Sequence, residues 1–141
     1  MPEDTTAEGM SREAIHDWLR THFPRYERTM RLEAAGGGRA RVRYLITEQH
    51  LRPGGTVMGP TMMLVADVAM YAALIGLDRR ATAAVTSNLN ISFLHRPEPR
   101  DLIGEGEVLR LGRSQSVGEV RMYSDGDDRI VAHATVTYSH R

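Results

Sequence analysis

The hydrophobic positions of this chain change period along its length. From Ser11 to Phe23 they recur at helical spacing, with Ile15, Trp18, Leu19 and Phe23 on one face. Ser11 suits the N-cap of such a helix and Pro24 its end. Tyr26 to Ala35 reads as a strand, and Gly36-Gly37-Gly38 as a turn. Arg39 to Ile46 alternates, with Ala40, Val42, Tyr44 and Ile46 on one face and arginines on the other. Thr47 to Val57 is a glycine-rich loop. A near-continuous apolar run follows, predicted as one helix from about Pro60 to Leu77. Beyond Asp78-Arg79-Arg80 the period becomes two. Ala83 to Leu94 carries Val85, Leu89, Ile91 and Phe93 on one face, and Leu102 to Leu111, Ser116 to Tyr123 and Arg129 to Tyr138 follow as strands. Turns fall at Gly112-Arg113 and at Ser124 to Asp128. One long apolar helix set among antiparallel strands predicts an α+β domain with the sheet curled around that helix.

The apolar run, TVMGPTMMLVADVAMYAALIGL, holds a single charged side chain, Asp67. A buried carboxylate without partners costs several kcal/mol, so such a residue has company or a chemical task. A carboxylate in an apolar wall can serve as general base or nucleophile. It can equally be a buried acid satisfied by a neighbouring hydroxyl or amide. Gly59-Pro60 makes a good helix start, because proline fits the first helical turn.

Length and composition narrow the function classes. The chain has 141 residues, enough for one core, and we expect a tail over residues 1–9 followed by a single domain over 10–141. Its 18 basic and 18 acidic side chains cancel, which argues against nucleic-acid binding. There is no cysteine, which excludes thiolate nucleophiles and disulfides and fits a reducing compartment. There is no lysine either, which excludes Schiff-base chemistry. The histidines are scattered without a paired spacing, so no metal site is expected. Residues 58–77 have the length of a membrane span, but the central Asp67 and the amphipathic strands that follow argue against one. The expectation is a soluble cytoplasmic protein.

Three stretches resemble the hotdog fold, and within it the thioesterases of the phenylacetic-acid-degradation type. They are HLRPGGTVMGPTMMLVADVAMYAA (His50 to Ala73), VTSNLNISFLHRP (Val85 to Pro97), and EVLRLGRSQSVGEVRMY with IVAHATVTY. The resemblance implies an acyl- or aryl-coenzyme A thioesterase that needs no cofactor beyond the coenzyme A of its substrate. It matches the family's catalytic carboxylate to Asp67, its oxyanion-hole glycine to Gly59, and its water-orienting hydroxyl to Thr86. Three positions depart from the pattern. The family's Asn falls on Arg52, the His of its His-Gly-Gly falls on Met58, and the second glycine of that triplet is Pro60. The turn at Gly112, Arg113 and Ser114 is implied to contact coenzyme A phosphates, a contact that suits a guanidinium. Arg52, Met58, Asn88, Arg113 and Ser114 are therefore candidate substrate-binding residues. Taken as a plain sequence, Arg52 is a surface loop charge, Met58 a core-packing residue, Gly112 a hairpin turn residue and Asn88 a polar residue at a sheet rim.

Spacing adds one inference. Gly59 and Asp67 are eight residues apart, about 12 Å along one helix. Both cannot touch one thioester carbonyl from the same helix, so a site using both needs two subunits, as in the homo-oligomers that the resemblance implies. The competing expectation is a non-catalytic acyl-coenzyme A binding or regulatory domain, which the changes at Arg52 and Met58 would suit.

Overall fold

A computed structural model describes residues 8–140. Helix α1 (Arg12–His22) is capped as expected, the Ser11 hydroxyl accepting from the Ala14 N–H at 3.1 Å. Ile15 and Leu19 enter the core, and Trp18 is half-buried. Phe23 leaves the helical face. As the C-cap residue it has extended backbone, and its ring is 40% exposed. Of the expected tail, residues 1–7 lie outside the described residues. At Glu8 the chain is already tied down, its carbonyl accepting from the Arg79 N–H.

The expected strand from Tyr26 begins late. Tyr26–Thr29 forms one helical turn, α2, and strand β1 is Met30–Gly36. The turn buries the Tyr26 ring beneath α1, where the phenol meets His16 Nδ1 at 2.9 Å. Strand β2 is Arg39–Tyr44. Ile46 falls beyond it, because Asp101 takes its N–H at 3.2 Å. The expected loop contains a 3₁₀ turn, Glu48–His50, and a bridge between Leu51 and Val57. Helix α3 is Gly59–Ile75, with proline in its first turn. Strands β3 (Val85–Phe93), β4 (Leu102–Arg110), β5 (Gln115–Ser124) and β6 (Ile130–Ser139) complete the chain. No helix of the described residues is long and apolar enough to cross a membrane.

The six strands form one antiparallel sheet in the order β1-β2-β4-β5-β6-β3. It wraps α3, whose buried residues run from Thr61 to Ile75. Small residues permit this close packing. A Cβ at Gly106 would sit 2.7 Å from the Ala69 carbonyl oxygen, so β4 touches the helix backbone there. Without the apolar area this contact buries, a helix with one charge in 17 residues would have no reason to fold alone.

The outer face of the sheet is a lattice of ion pairs. Glu33 on β1 accepts from Arg41 at 2.9 Å and from Arg43 at 2.7 Å. Arg41 also reaches Glu105, and Arg43 reaches Asp101 and Asp125. The hydrogen bond from Arg43, chiefly, holds the Glu33 carboxyl below the usual carboxylate range.

Candidate active site

Asp67 sits half-buried in the middle of α3, where the helix passes under β3 and β6. Two hydroxyls converge on its Oδ1. Thr86 Oγ1 donates from β3 at 2.7 Å, and the Tyr138 phenol donates from β6, also at 2.7 Å. The same phenol lies 3.1 Å from the Asp67 carbonyl oxygen. Thr86 and Tyr138 are direct cross-strand partners, so one rung of the sheet supplies both donors. Among the described residues no donor is bonded to Oδ2.

A β-bulge puts Thr86 there. The register slips between Thr86 and Asn88, so two residues of β3 oppose one of β6. Beyond the slip, Leu89, Ile91 and Phe93 pair with the inward Val136, Ala134 and Ala132. Before it, Thr86 pairs with the inward Tyr138 and Val85 with Ser139. Val85, expected on the face of Leu89, Ile91 and Phe93, therefore lies on the opposite one and is 41% exposed. Without the extra residue Thr86 would point away from the helix, because a one-residue shift inverts every side chain.

Tyr138 is 4% exposed. Burial, and then the charge of Asp67, push its phenol well above the ordinary tyrosine range. It is therefore a neutral, permanent hydrogen-bond donor to the carboxylate. This residue is absent from the sequence-based candidates. Its signal was faint: on the inward phase of IVAHATVTY it is the one side chain with a polar tip, after Ala132, Ala134 and Val136.

The carboxylate opens into a cleft of about 300 Å³ with apolar walls. Val68 and Tyr71 come from α3, Ala84 precedes β3, Leu19 comes from α1, and Phe23 is the C-cap residue just beyond it. Tyr71 accepts from Trp18 Nε1 at 2.9 Å and donates to the Thr82 carbonyl at 3.0 Å. Burial raises its phenol too.

Gly59 opens into a different cleft, of about 570 Å³, together with Arg52, Pro53, Met62 and Phe93. As a first-turn residue its N–H has no acceptor within the helix, and the helix dipole there favours negative charge. A Cβ on Gly59 would approach the Phe93 ring to 3.4 Å. Arg52 is exposed in a tight turn, its N–H bonded to the Thr56 carbonyl at 2.9 Å. Met58 is the N-cap residue, but its side chain caps nothing.

The fold thus joins Asp67 with Thr86, and Gly59 with Arg52, in separate places. Asn88 is exposed past the bulge, and Arg113 and Ser114 are exposed on the β4–β5 turn. These three line neither cleft. The turn is fixed by its backbone, with the Gly112 N–H donating to Ser116 Oγ and the His140 N–H to the Ser114 carbonyl. Gly112 leaves no room for a side chain, since a Cβ there would collide with the Gln115 carbonyl. His50 and His95 bond to local backbone or to neighbouring side chains in their loops. Among the described residues no three His, Asp or Glu side chains gather as a metal site. The chemistry this arrangement permits is proton abstraction or nucleophilic attack by Asp67, and stabilisation of an oxyanion by the Gly59 amide.

Comparison with known families gives one match, the thioesterase superfamily, over residues 54–131, more than half of the chain. Among curated proteins nothing matches. Among solved structures, a candidate thioesterase from Silicibacter sp. TM1040 is 34% identical, with 98% of this chain and 96% of that one covered at a TM-score of 0.84. The zebra fish thioesterase superfamily member 2 is 20% identical, covering 94% and 99%, with a TM-score of 0.80. A hypothetical thioesterase from Streptococcus pneumoniae TIGR4, solved with coenzyme A, is 21% identical over 91% and 97%, with a TM-score of 0.75. At these identities the last two show the fold alone.

Proposed function

The chain belongs to the thioesterase superfamily, and on that premise we propose that it hydrolyses acyl- or aryl-coenzyme A thioesters, in the manner of the phenylacetic-acid-degradation type. The observation that carries this reading is the carboxylate itself. Asp67 is held at Oδ1 by two neutral hydroxyls and faces an apolar cleft. In our reading Asp67 accepts a proton from water as the water oxygen adds to the thioester carbonyl, or attacks that carbonyl itself. The Gly59 N–H receives the developing oxyanion, and Thr86 orients the water. By the first route the C–S bond then breaks and coenzyme A leaves as the thiol with the proton that Asp67 took from water; by the second, coenzyme A leaves as the thiolate, and water hydrolyses the resulting Asp67 mixed anhydride, releasing the acid and the proton that the thiolate takes up.

The site is shared between two copies of the chain. About 12 Å along α3 separates Gly59 from Asp67, and they open into different clefts. An antiparallel pair of α3 helices sets the Gly59 of one copy beside the Asp67 of the other. The surface supports such a pair. Strand β3 ends the sheet with one edge unpaired, and Phe93, Leu94, Met63 and Leu64 are 42–52% exposed along it and the adjoining helix. A long apolar edge of this kind calls for a partner. Arg113 takes a phosphate of coenzyme A, by the resemblance of its turn and the preference of guanidinium for phosphate.

A panel of acyl- and aryl-coenzyme A thioesters, read by thiol release, tests the proposal with Asp67→Asn as control. Turnover lost in the variant is expected. Tight binding of several thioesters by the native chain with no thiol released would overturn it in favour of a binding domain.

A further inference from the structure

We infer that His140 is a positioning residue for the nucleotide end of coenzyme A: from the end of β6 it clamps the turn between β4 and β5 that presents Arg113. This rests on the reading above that Arg113 takes a phosphate. The family match covers residues 54–131, so His140 lies outside what that match describes. The turn is a place of unmatched positive charge. Between Val108 and Gly118 the chain has two arginines, Arg110 and Arg113, and no acid. Neither guanidinium has a partner among the described residues, whereas Arg39, Arg41 and Arg43 of β2 all meet carboxylates.

A turn that moved freely would present this charge poorly, and the strands do little to hold it. The β4–β5 ladder slips between Val108 and Arg110 and ends where Arg110 meets Val117. Gln115 already pairs with Ser139 of β6. Leu111 to Ser114 therefore have no rung of their own. Among the described residues two hydrogen bonds hold them, and both lead to His140. The His140 N–H donates to the Ser114 carbonyl at 2.8 Å. The Gly112 N–H donates to Ser116 Oγ at 3.1 Å, and the same Oγ lies 2.6 Å from His140 Nε2. Arg113 stands between the two gripped residues.

Ser116 joins the two halves of the clamp. It is wholly buried, on the inward phase of β5 with Gly118, Val120 and Met122. A hydroxyl buried among apolar neighbours is costly unless it is bonded. Its oxygen accepts from Gly112, which leaves its proton for the imidazole nitrogen. Without the imidazole, that proton has no acceptor among the described residues. Gly112 cannot move closer in compensation, because the chain there already leaves no room for a Cβ beside the Gln115 carbonyl. Ser116 pairs with Tyr138, and Tyr138 with Thr86, so the clamp continues the rung that supplies both donors to Asp67. No side-chain bond among the described residues joins Ser116 or His140 to that carboxylate or its donors. Losing the clamp should therefore weaken binding and spare the chemistry.

The experiment follows kcat and KM by thiol release for one acyl group carried on coenzyme A and on N-acetylcysteamine, and the Kd of coenzyme A itself by calorimetry. The chains are the native one, His140→Ala, His140→Gln, Ser116→Ala, Arg113→Ala and the double variant of His140→Ala with Arg113→Ala, each with a melt. His140→Ala should raise KM for the coenzyme A thioester and Kd for coenzyme A by roughly 5-fold, with kcat within about 2-fold of native. Its turnover of the N-acetylcysteamine thioester should match that of the native chain. His140→Gln puts an amide oxygen where Nε2 stood and should restore most of the affinity. Ser116→Ala removes the other half of the pair and should repeat the pattern of His140→Ala, so the test stands even if that chain fails to fold. The double variant should bind no more weakly than Arg113→Ala alone, since His140 acts through Arg113. Equal losses on both thioesters, additive losses in the double variant, or an unchanged KM in folded His140→Ala would overturn the role of His140 and leave the hydrolase reading standing. If the native chain releases no thiol, the hydrolase reading fails, and the calorimetric Kd still decides the clamp. An unchanged Kd in His140→Ala, or no binding of coenzyme A by the native chain, would then overturn it.

Discussion

Replacing Asp67 with Asn separates charge from shape at the centre of the site. Both bonds to the carboxylate arrive at Oδ1, from Thr86 and from Tyr138, each at 2.7 Å. An asparagine can place its carbonyl oxygen at that point and accept both. Its NH₂ then occupies the position of Oδ2. A donor stands where the base or nucleophile stood, and the charge is gone. The loss of chemistry should therefore be nearly complete, while the packing hardly changes. General-base contributions of about 10²- to 10⁴-fold correspond to roughly 3–5 kcal/mol of transition-state stabilisation. Two charge-assisted hydrogen bonds become neutral ones, which costs about 1 kcal/mol each, offset by no longer holding a half-buried charge. Unfolding free energy should thus move by no more than about 1 kcal/mol. The assay is steady-state thiol release beside a denaturant melt of the same preparation. A fall in kcat of at least about 100-fold with an unchanged melt is expected. Retained turnover would remove Asp67 from the mechanism. A collapsed melt would mean that the charge is structural and would leave the loss of activity uninformative.

Removing either hydroxyl should do less than removing the carboxylate. Tyr138→Phe should lower kcat by about 10-fold and stability by roughly 1–2 kcal/mol, and Thr86→Ala should lower kcat while Thr86→Ser stays near native, as stopped-flow rates and melts would show. Arg113→Ala should raise KM for a coenzyme A thioester with kcat little changed, and the effect should vanish with a short thioester lacking the nucleotide. Co-expressing Asp67→Asn with a chain bearing a bulky residue at Gly59 should restore about half the native sites per heterodimer, because one site collects both defects and the other neither. Heterodimers that form and stay inactive would refute a shared site. Glu33→Gln should cost about 1 kcal/mol at neutral pH, a value kept small because its partners are partly exposed. The folded Glu33 carboxyl titrates below its unfolded value, so its contribution is full above that unfolded value, about 4.3, and is lost as pH falls through the lower folded one. Acid unfolding curves of native and variant chains should therefore converge at low pH.

Much of the fold is legible in the chain because its causes are local. Periods of 3.6 and 2 report which faces are buried, so the order of the long helices and the strands could be read residue by residue. Gly59-Pro60 marks the start of α3 for a reason contained in two residues: proline needs no N–H in the first helical turn. Asp67 stands out because a charge in an apolar helix is costly, and its distance from Gly59 along the helix follows from the rise per residue. Tyr26–Thr29 reads as strand yet forms one turn of helix, because that turn seats Tyr26 against α1, a tertiary contact with no local period. The surroundings of Asp67 belong wholly to tertiary structure. Tyr138 lies 71 residues away in sequence and reaches it only because β6 pairs with β3 over the helix. Thr86 faces it only because the ladder slips by one residue at Ser87, and register is fixed by pairing across strands, not along them. The same holds for the wall of α1, whose Trp18 finds Tyr71 across 53 residues. The sequence determines which residue carries the charge and on which element. Only the packed sheet decides which hydroxyls hold that charge and what closes the space beside it, because both depend on contacts between segments that no local period can encode.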